Sequence, residues 1–466
     1  MSSRMLILVV FLIYLGCMFY IGWRGKKYAS TNKDVMTAAG QGTMLMVVGT
    51  YMGAHLGNGV VVGGAQYGAS VGIGGLWYGV GAAFSYVLFA LVMVRVIYRR
   101  KYITLSDILK DAYGDKLSMT LIAILSAFGR ISNTAAQIIA GKLLFEYLGL
   151  NGNLGAIITI AVVIIYSTMS GMWGVMMTDA IQTGIIFLGT ILGLGWIFAS
   201  GGWNLITTNI TDPSYWDIQP FDIEVLIMMF GPSAINGLIS APGLQRAVAS
   251  KNERIAFTAP MIASVLIAIY AVMPVIFGMY GYAMDPTAEA KTIMFKVLLE
   301  YFPPILGALM VCAIAAAVMS TCDGTMLSAA ANVVNDIYLK IINPGCKDEA
   351  KLSRMTKWAT VGVGIVSTAI ALQFDMLIPL LSKGYQLVNA GALVLCLGGL
   401  FWKGANRAGA YAAFAAGICT WVLIQLKVIA PPAAAIFPIL PSFIAFLVVC
   451  YAFRGKYGPN EAAVFK

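Results

Sequence analysis

Long apolar stretches separated by short polar segments run the length of this 466-residue chain. Charge-free runs cover residues 5–23, 147–178, 180–211, 225–245, 255–284, 301–322, 358–374, 384–402, 408–426 and 428–453. A helix needs about 20 apolar residues to cross the hydrocarbon core of a bilayer, so each run predicts one spanning helix. A longer run, 35–94, contains only His55 among ionisable side chains of the acidic, basic and imidazole types. It is too long for one helix, and Gly72, Gly74 and Gly75 divide it in two. Residues 117–149 add another span, interrupted by Arg130, Lys142 and Glu146. The expectation is an all-α integral membrane protein with 13 transmembrane helices.

Composition agrees. Charged residues make up 11% of the chain, against roughly 25% in a soluble domain. The apolar share is 60%. These values exclude a soluble enzyme, a disordered chain and a nucleic-acid-binding domain. The formal net charge of +10 is therefore read loop by loop. With the N-terminus outside, the segments 24–34, 95–116, 171–175, 246–256, 340–357, 403–407 and 454–466 face the cytoplasm and hold 23 of the 30 Lys and Arg. The external loop 201–224 carries Asp212, Asp217, Asp222 and Glu224 and no basic residue. An odd number of spans satisfies this asymmetry, with the N-terminus outside and the C-terminus in the cytoplasm. The first run reads as a retained span, because Arg24, Lys26 and Lys27 follow it without a small-residue cleavage site. Seven cysteines without C-x-x-C spacing read as small buried hydrophobes, not a disulfide framework or zinc site.

Polar groups at bilayer depth are costly and mark function by default. In the second span, Gly53, Gly57 and Gly59 surround His55 and Asn58. Glycines let helices pack closely, and they also permit an unwound segment, which is tolerated only where it lines a cavity. Asp179 lies in the sixth span and Asp323 in the ninth, next to Ser320, Thr321 and Gly324. Such oxygens suit a hard cation such as Na⁺ together with carbonyls from a broken helix. Alternatively, the two hydroxyls bond back to their own helix. Arg130, Asn133 and Gln137 share one face of the fourth span. The guanidinium there is either a ligand contact or the partner of an internal Asp. Asn236 and Ser240 share a face of the seventh span, as do Gln386 and Asn389 in the eleventh. There is no G-x-S-x-G, no H-E-x-x-H and only one His, so no serine- or metal-based intramembrane protease can be assembled.

Four segments resemble the sodium:solute symporter family: YITLSDILKDAYGDK, SGMWGVMMTDAIQ, LQRAVASKNERIA and AAAVMSTCDGTMLSAAANVVNDIY. They come in the family's order and the likeness covers nearly the whole chain. The resemblance implies a LeuT-type fold with a 5+5 inverted repeat. Spans 2–11 (residues 35–402) would form the transport core, with residues 1–24 and 403–466 peripheral. It implies a sodium site made by carbonyls near Tyr51 and Ala54, the Ala317 carbonyl, and the hydroxyls of Ser320 and Thr321. Asp179 would lie beneath that site and assist ion coupling. A second sodium site in some members uses hydroxyls one turn on; here those positions are Asp323 and Gly324, which leaves Asp323 as a possible proton or ion-coupling group.

The implied activity is sodium-coupled symport of a small polar solute across the plasma membrane, with Na⁺ as the co-transported ion and no obligate protein partner. The wording resembles choline-type members most, which hold a cation in an aromatic cage. Here Gly53, Ser132 and Ser240 stand where that cage has Trp, and Arg130 stands where an acid does. The reading is therefore a carboxylate-bearing solute, anionic or zwitterionic, contacted by His55, Asn58, Arg130, Asn133, Gln137, Asn236, Ser240 and Gln386. A cationic amine, proton coupling, a channel and a sensor are the alternatives.

Overall fold

The computed structural model describes residues 3–25, 32–219, 221–374, 377–457 and 459–464. Among them the chain is helical, and the one β-like pairing is a bridge between Gly42 and Ser250. The first helix, α1 (Ser3–Gly25), is followed by the short α2 (Asn32–Thr37). The second span is split into α3 (Met44–His55) and α4 (Asn58–Val71). The third runs from α5 (Trp77–Leu88) through a π-helical turn into α6 (Arg95–Arg100). An amphipathic helix, α7 (Leu105–Tyr113), precedes the long α8 (Lys116–Tyr147). Spans five and six are joined as α9 (Gly152–Ala199), and α10 (Gly202–Asn209) begins the loop beyond them.

The second half opens with α11 (Ile223–Asn236) and α12 (Ala241–Ala249), again a broken pair, bent by 46°. Then come α13 (Glu253–Met284), the short α14 (Ile293–Lys296), and α15 (Pro304–Ala331) with a π-helical extension to Ile342. The series ends with α16 (Glu349–Ala371), α17 (Leu377–Phe401), α18 (Arg407–Gln425) and α19 (Ile439–Ala452). Helix lies within each of the thirteen expected stretches. Seven helices among the described residues are long and apolar enough to cross a membrane, and the bent pair makes an eighth. Three boundaries differ from expectation. The seventh stretch is not one helix but breaks at Ser240, the ninth continues some 20 residues beyond 322, and the corner at residues 171–175 is a single-residue kink.

That kink is a glycine for a steric reason. Gly171 holds φ 58° and ψ −170°, a region essentially restricted to residues without Cβ. One residue thus separates the fifth span from the sixth.

Helix α15 sits at the centre, buried from Gly307 to Ala331 except at Leu309 and Ala315. It packs against α9, α8, α1 and α3. Its Ala-rich sequence lets these backbones approach. Helix α13 lies on α3, α4 and α5, while α17 lies on α8 and α11. The interrupted pairs α3/α4 and α11/α12 stand first in each set of five spans, as an inverted repeat requires. On one side the loop after α10 folds over the core: Tyr215 Oη donates to the Ala69 carbonyl at 2.7 Å, and Trp77 Nε1 to the Ile218 carbonyl at 2.7 Å. On the other side Thr104 and Asp107 cap α7. Lys340 bridges Asp107 and Asp336 at 2.6 and 2.7 Å, tying α7 to the end of the central helix.

Gly171→Ala is expected to lose about 1–3 kcal/mol from strain at the kink, read as a lower thermal midpoint of the purified protein. An unchanged midpoint would show that the corner tolerates a side chain.

Candidate functional site

The α3/α4 interruption falls at Leu56 and Gly57, beside α15. Ser320 Oγ lies 3.1 Å from the Gly53 carbonyl and 3.2 Å from the Ala317 carbonyl of its own helix. Thr321 Oγ1 donates to the same Gly53 carbonyl at 3.0 Å. Ser320 thus bonds back to its own helix and also reaches the carbonyl of the broken one, while Thr321 reaches across to α3. Two carbonyl oxygens and two hydroxyl oxygens converge. This set contains hard, neutral oxygen donors only and fits Na⁺. The α3 carbonyl in this set is that of Gly53, which lies between the expected Tyr51 and Ala54; the Tyr51 carbonyl accepts from Tyr86 Oη at 2.7 Å, and Ala54 lines the cavity described below. The glycines have a reason here. A Cβ on Gly53 would lie 3.2 Å from both Asp179 and Ser320, and one on Gly57 would lie 2.5 Å from Thr321 Oγ1.

Behind Gly53 lies a buried charge pair. Asp179 is fully buried and accepts from Thr50 Oγ1 at 2.5 Å. Arg246 of α12, only 1% exposed, donates Nε to the Thr50 carbonyl and hydroxyl at 3.0 and 2.9 Å and approaches Asp179 at 3.7 Å. Arg246 was counted with the cytoplasmic loop 246–256 in the sequence reading; it belongs instead to the core. Gly324 makes room for it, since a Cβ there would meet Arg246 Nη2 at 2.7 Å. Asp323 is also fully buried, accepting its neighbour's Gly324 N–H at 2.6 Å, with Oδ2 unpartnered.

Next to these groups is a small cavity of about 20 Å³ between α3, α5, α8, α11, α12, α15 and α17. His55, Arg130, Asn133, Asn236 and Ser240 all line it, together with Thr321 and Tyr385. Gln137 lines the adjoining space with Gly57. Most lining groups are engaged: Arg130 Nη2 with Asn236 Oδ1 at 3.4 Å, Asn236 Nδ2 with Asn389 Oδ1 at 3.1 Å, and Asn133 Nδ2 with Tyr385 Oη at 3.2 Å. No internal Asp pairs with Arg130 among the described residues, and its Nε is buried without a partner. His55 Nε2 lies 3.2 Å from Ser85 Oγ, whose own hydrogen goes to the Ala82 carbonyl. Nε2 is thus the donor, and the unpartnered Nδ1 remains an acceptor.

Two expectations shift. Ser240 caps α12 by accepting the Gly243 N–H at 3.3 Å as well as facing the cavity. Gln386 bonds to Ser382 on its own helix at 3.0 Å and lies off the lining; Tyr385 of α17 lines the cavity, and Asn389 of the same helix holds the lining residue Asn236 at 3.1 Å. The Asn58 side chain lies outside the described residues. Sequence reasoning missed Arg246, Tyr86 and Tyr385. The Gln-Arg pair in LQRAVASKNERIA was the available signal for the first.

A model described as the sodium:solute symporter family matches residues 35–417. A sodium/pantothenate symporter of Haemophilus influenzae is 26% identical over 379 residues, covering 74% of this chain and 77% of that one. The high affinity choline transporter 1 of Homo sapiens is 22% identical over 437 residues, covering 88% and 75%. Among solved structures, a Na⁺-coupled sialic acid symporter in a substrate-bound outward-open state superposes with a TM-score of 0.80 at 16% identity, covering 98% of this chain and 99% of that one. A nucleobase-cation-symport-1 family transporter in a closed conformation superposes at 0.59 with 12% identity, covering 91% and 96%. These likenesses show the LeuT-type helical fold.

Arg246→Met would leave Asp179 buried without its cation, at a cost of about 3–5 kcal/mol. Combining it with Asp179→Leu should restore part of that loss. Thermal midpoints of the two single variants and the double one measure this. Additive losses would show that the two side chains are not coupled.

Proposed function

Because the chain belongs to the sodium:solute symporter family, we propose that the solute it carries with Na⁺ is a small molecule bearing a carboxylate. The observation that carries this reading is Arg130: a guanidinium, 4% exposed, lining the cavity with an unpartnered Nε. Arg246 lines the same cavity, and no carboxylate is among the described lining residues. A buried cation without a counter-ion is costly, and an arriving carboxylate would meet the fork geometry that guanidinium offers. Asn133 and Asn236 would take further polar contacts, and His55 Nδ1 a donor from the solute.

The relatives named for pantothenate and sialic acid transport carry monocarboxylates, which supports this reading. The choline-type relatives favour a cation, but the cavity offers Tyr86 and Tyr385 and no Trp, and two guanidiniums would repel such a ligand. In our reading the Gly53 and Ala317 carbonyls, with the Ser320 and Thr321 hydroxyls, hold Na⁺. The ion draws α3 and α15 together, and solute binds beside it. Asp179 is held by Arg246 as a fixed element of that wall. In this reading the N-terminus is outside and the C-terminus in the cytoplasm of a plasma-membrane transporter, a topology that the charge asymmetry of the loops supports.

Ser320→Ala combined with Thr321→Ala is expected to abolish both Na⁺-driven uptake into proteoliposomes and the thermal stabilisation given by Na⁺. Uptake still driven by Na⁺ would refute the ion site, and uptake driven by an imposed pH gradient alone would favour the proton-coupled alternative. Arg130→Lys keeps the charge but loses the fork. It should weaken carboxylate solutes about tenfold or more and leave choline-like solutes unaffected. Equal loss for both classes would overturn the carboxylate assignment.

A further inference from the structure

The structure assigns an anionic phospholipid headgroup to a cleft of about 440 Å³ between the ends of α17 and α19. Trp402, Lys403, Asn406, Tyr451, Arg454 and Tyr457 line it. Two cations face the space, no carboxylate is among its described lining residues, and neither Lys403 nor Arg454 has an ion-pair partner among the described residues.

The walls are fixed by hydrogen bonds. Asn406 Nδ2 donates to the Cys450 carbonyl at 3.1 Å, joining the start of α18 to the end of α19. The chain after Tyr457 returns to the end of α17: the Asn460 N–H donates to the Lys403 carbonyl at 2.8 Å, the Asn460 side chain to the Gly399 carbonyl at 2.7 Å, and the Val464 N–H to the Leu400 carbonyl at 2.8 Å. Trp402 and Tyr451 pack with ring centroids 5.7 Å apart. Aromatic side chains with a polar tip favour the level of the headgroups.

The cleft has an apolar continuation. Along the outer face of α19, Leu440, Ile444, Val448 and Tyr451 are 53%, 52%, 61% and 63% exposed. Their spacing places them in one strip that ends at the cleft. A ligand matching both parts has a negatively charged head and hydrocarbon chains. The site lies at the end of the molecule where Tyr411 Oη of α18 donates to Asp115 at the start of α8 at 2.5 Å, the end that the count of Lys and Arg in the loops assigns to the cytoplasm. Basic pockets between helices on the cytoplasmic side are suited to acidic headgroups. A soluble phosphate would use the same two cations but not the strip.

The test uses the full chain purified in neutral detergent. Retention of dioleoylphosphatidylglycerol is measured by native mass spectrometry against dioleoylphosphatidylcholine, with inorganic phosphate as a separate arm, and thermal midpoints are recorded alongside. The unmodified protein should retain and be stabilised by the phosphatidylglycerol in preference to the phosphatidylcholine. Lys403→Gln with Arg454→Gln should weaken that retention roughly thirtyfold and leave stabilisation by Na⁺ intact, which shows the fold is preserved. Arg454→Gln alone, at an exposed position, should give part of the loss. Equal retention of both lipids, or undiminished phosphatidylglycerol retention by the variants, overturns the assignment. So does inorganic phosphate that stabilises as well as the lipid does, since that would mark a soluble-anion site.

Discussion

Backbone polar groups inside a bilayer have no water to turn to, so a helix can be interrupted there only if something else meets its freed carbonyls. In this molecule the interruption at Leu56 and Gly57 is met from two sides. Ser320 and Thr321 of α15 reach the Gly53 carbonyl at 3.1 and 3.0 Å, and Tyr86 of α5 reaches the Tyr51 carbonyl at 2.7 Å. The rest of the centre follows from that bargain. Hydroxyls that can donate to a carbonyl can equally turn their lone pairs, with that carbonyl, toward a cation. The helix that carries them must be small-residue-rich to come this close, which explains the run of Ala and Gly along α15.

The second broken pair, α11/α12, is anchored differently. Its inner half carries Arg246 into the protein, where the guanidinium holds both the Thr50 carbonyl and hydroxyl of α3 and lies near Asp179 of α9. Charge inside a membrane is affordable when paired and hydrogen-bonded. This one cation therefore ties both broken pairs to the sixth span. Gly324, by lacking a side chain, leaves the space that Arg246 occupies.

How far the sequence could be read depended on whether a signal was local. The break near His55 was legible because Gly53, Gly57 and Gly59 crowd polar residues into an apolar run. The paired hydroxyls at 320 and 321 were legible for the same reason. Arg246 was not, because it directly precedes the polar segment around Lys251 and Arg254, and a charge count assigns such a residue to the loop. The choice of Gln386 failed on helical phase: Tyr385 and Asn389 are four residues apart and share a face, while Gln386 points about 100° away and bonds to Ser382. Ser240 was expected on a continuous helix, and the break there makes it a cap as well. Which cavity a polar face lines depends on crossings between helices distant in sequence, and composition does not encode those.

Thr321 belongs to two neighbourhoods at once. Its hydroxyl meets the Gly53 carbonyl at 3.0 Å, and its side chain lines the cavity that holds Arg130 and His55. An ion seated among the α3 and α15 oxygens and a solute beside Arg130 would therefore share a wall. Each would stabilise the same approach of α3 to α15, and a shared stabilisation of one arrangement makes two affinities interdependent in both directions. The cavity itself, about 20 Å³, is of the order of a single water, far smaller than any organic solute. Entry of the solute therefore requires the lining helices to separate. The polar side chains that now bond to one another, Arg130 to Asn236 and Asn133 to Tyr385, would then exchange those partners for the solute. Asn236 holds Arg130 at one nitrogen only and supplies no counter-ion, so the exchange would be lopsided. The neutral side chains trade one hydrogen bond for another, while the guanidinium gains a neutralising charge, and closure around the carboxylate is favoured over closure around an empty site.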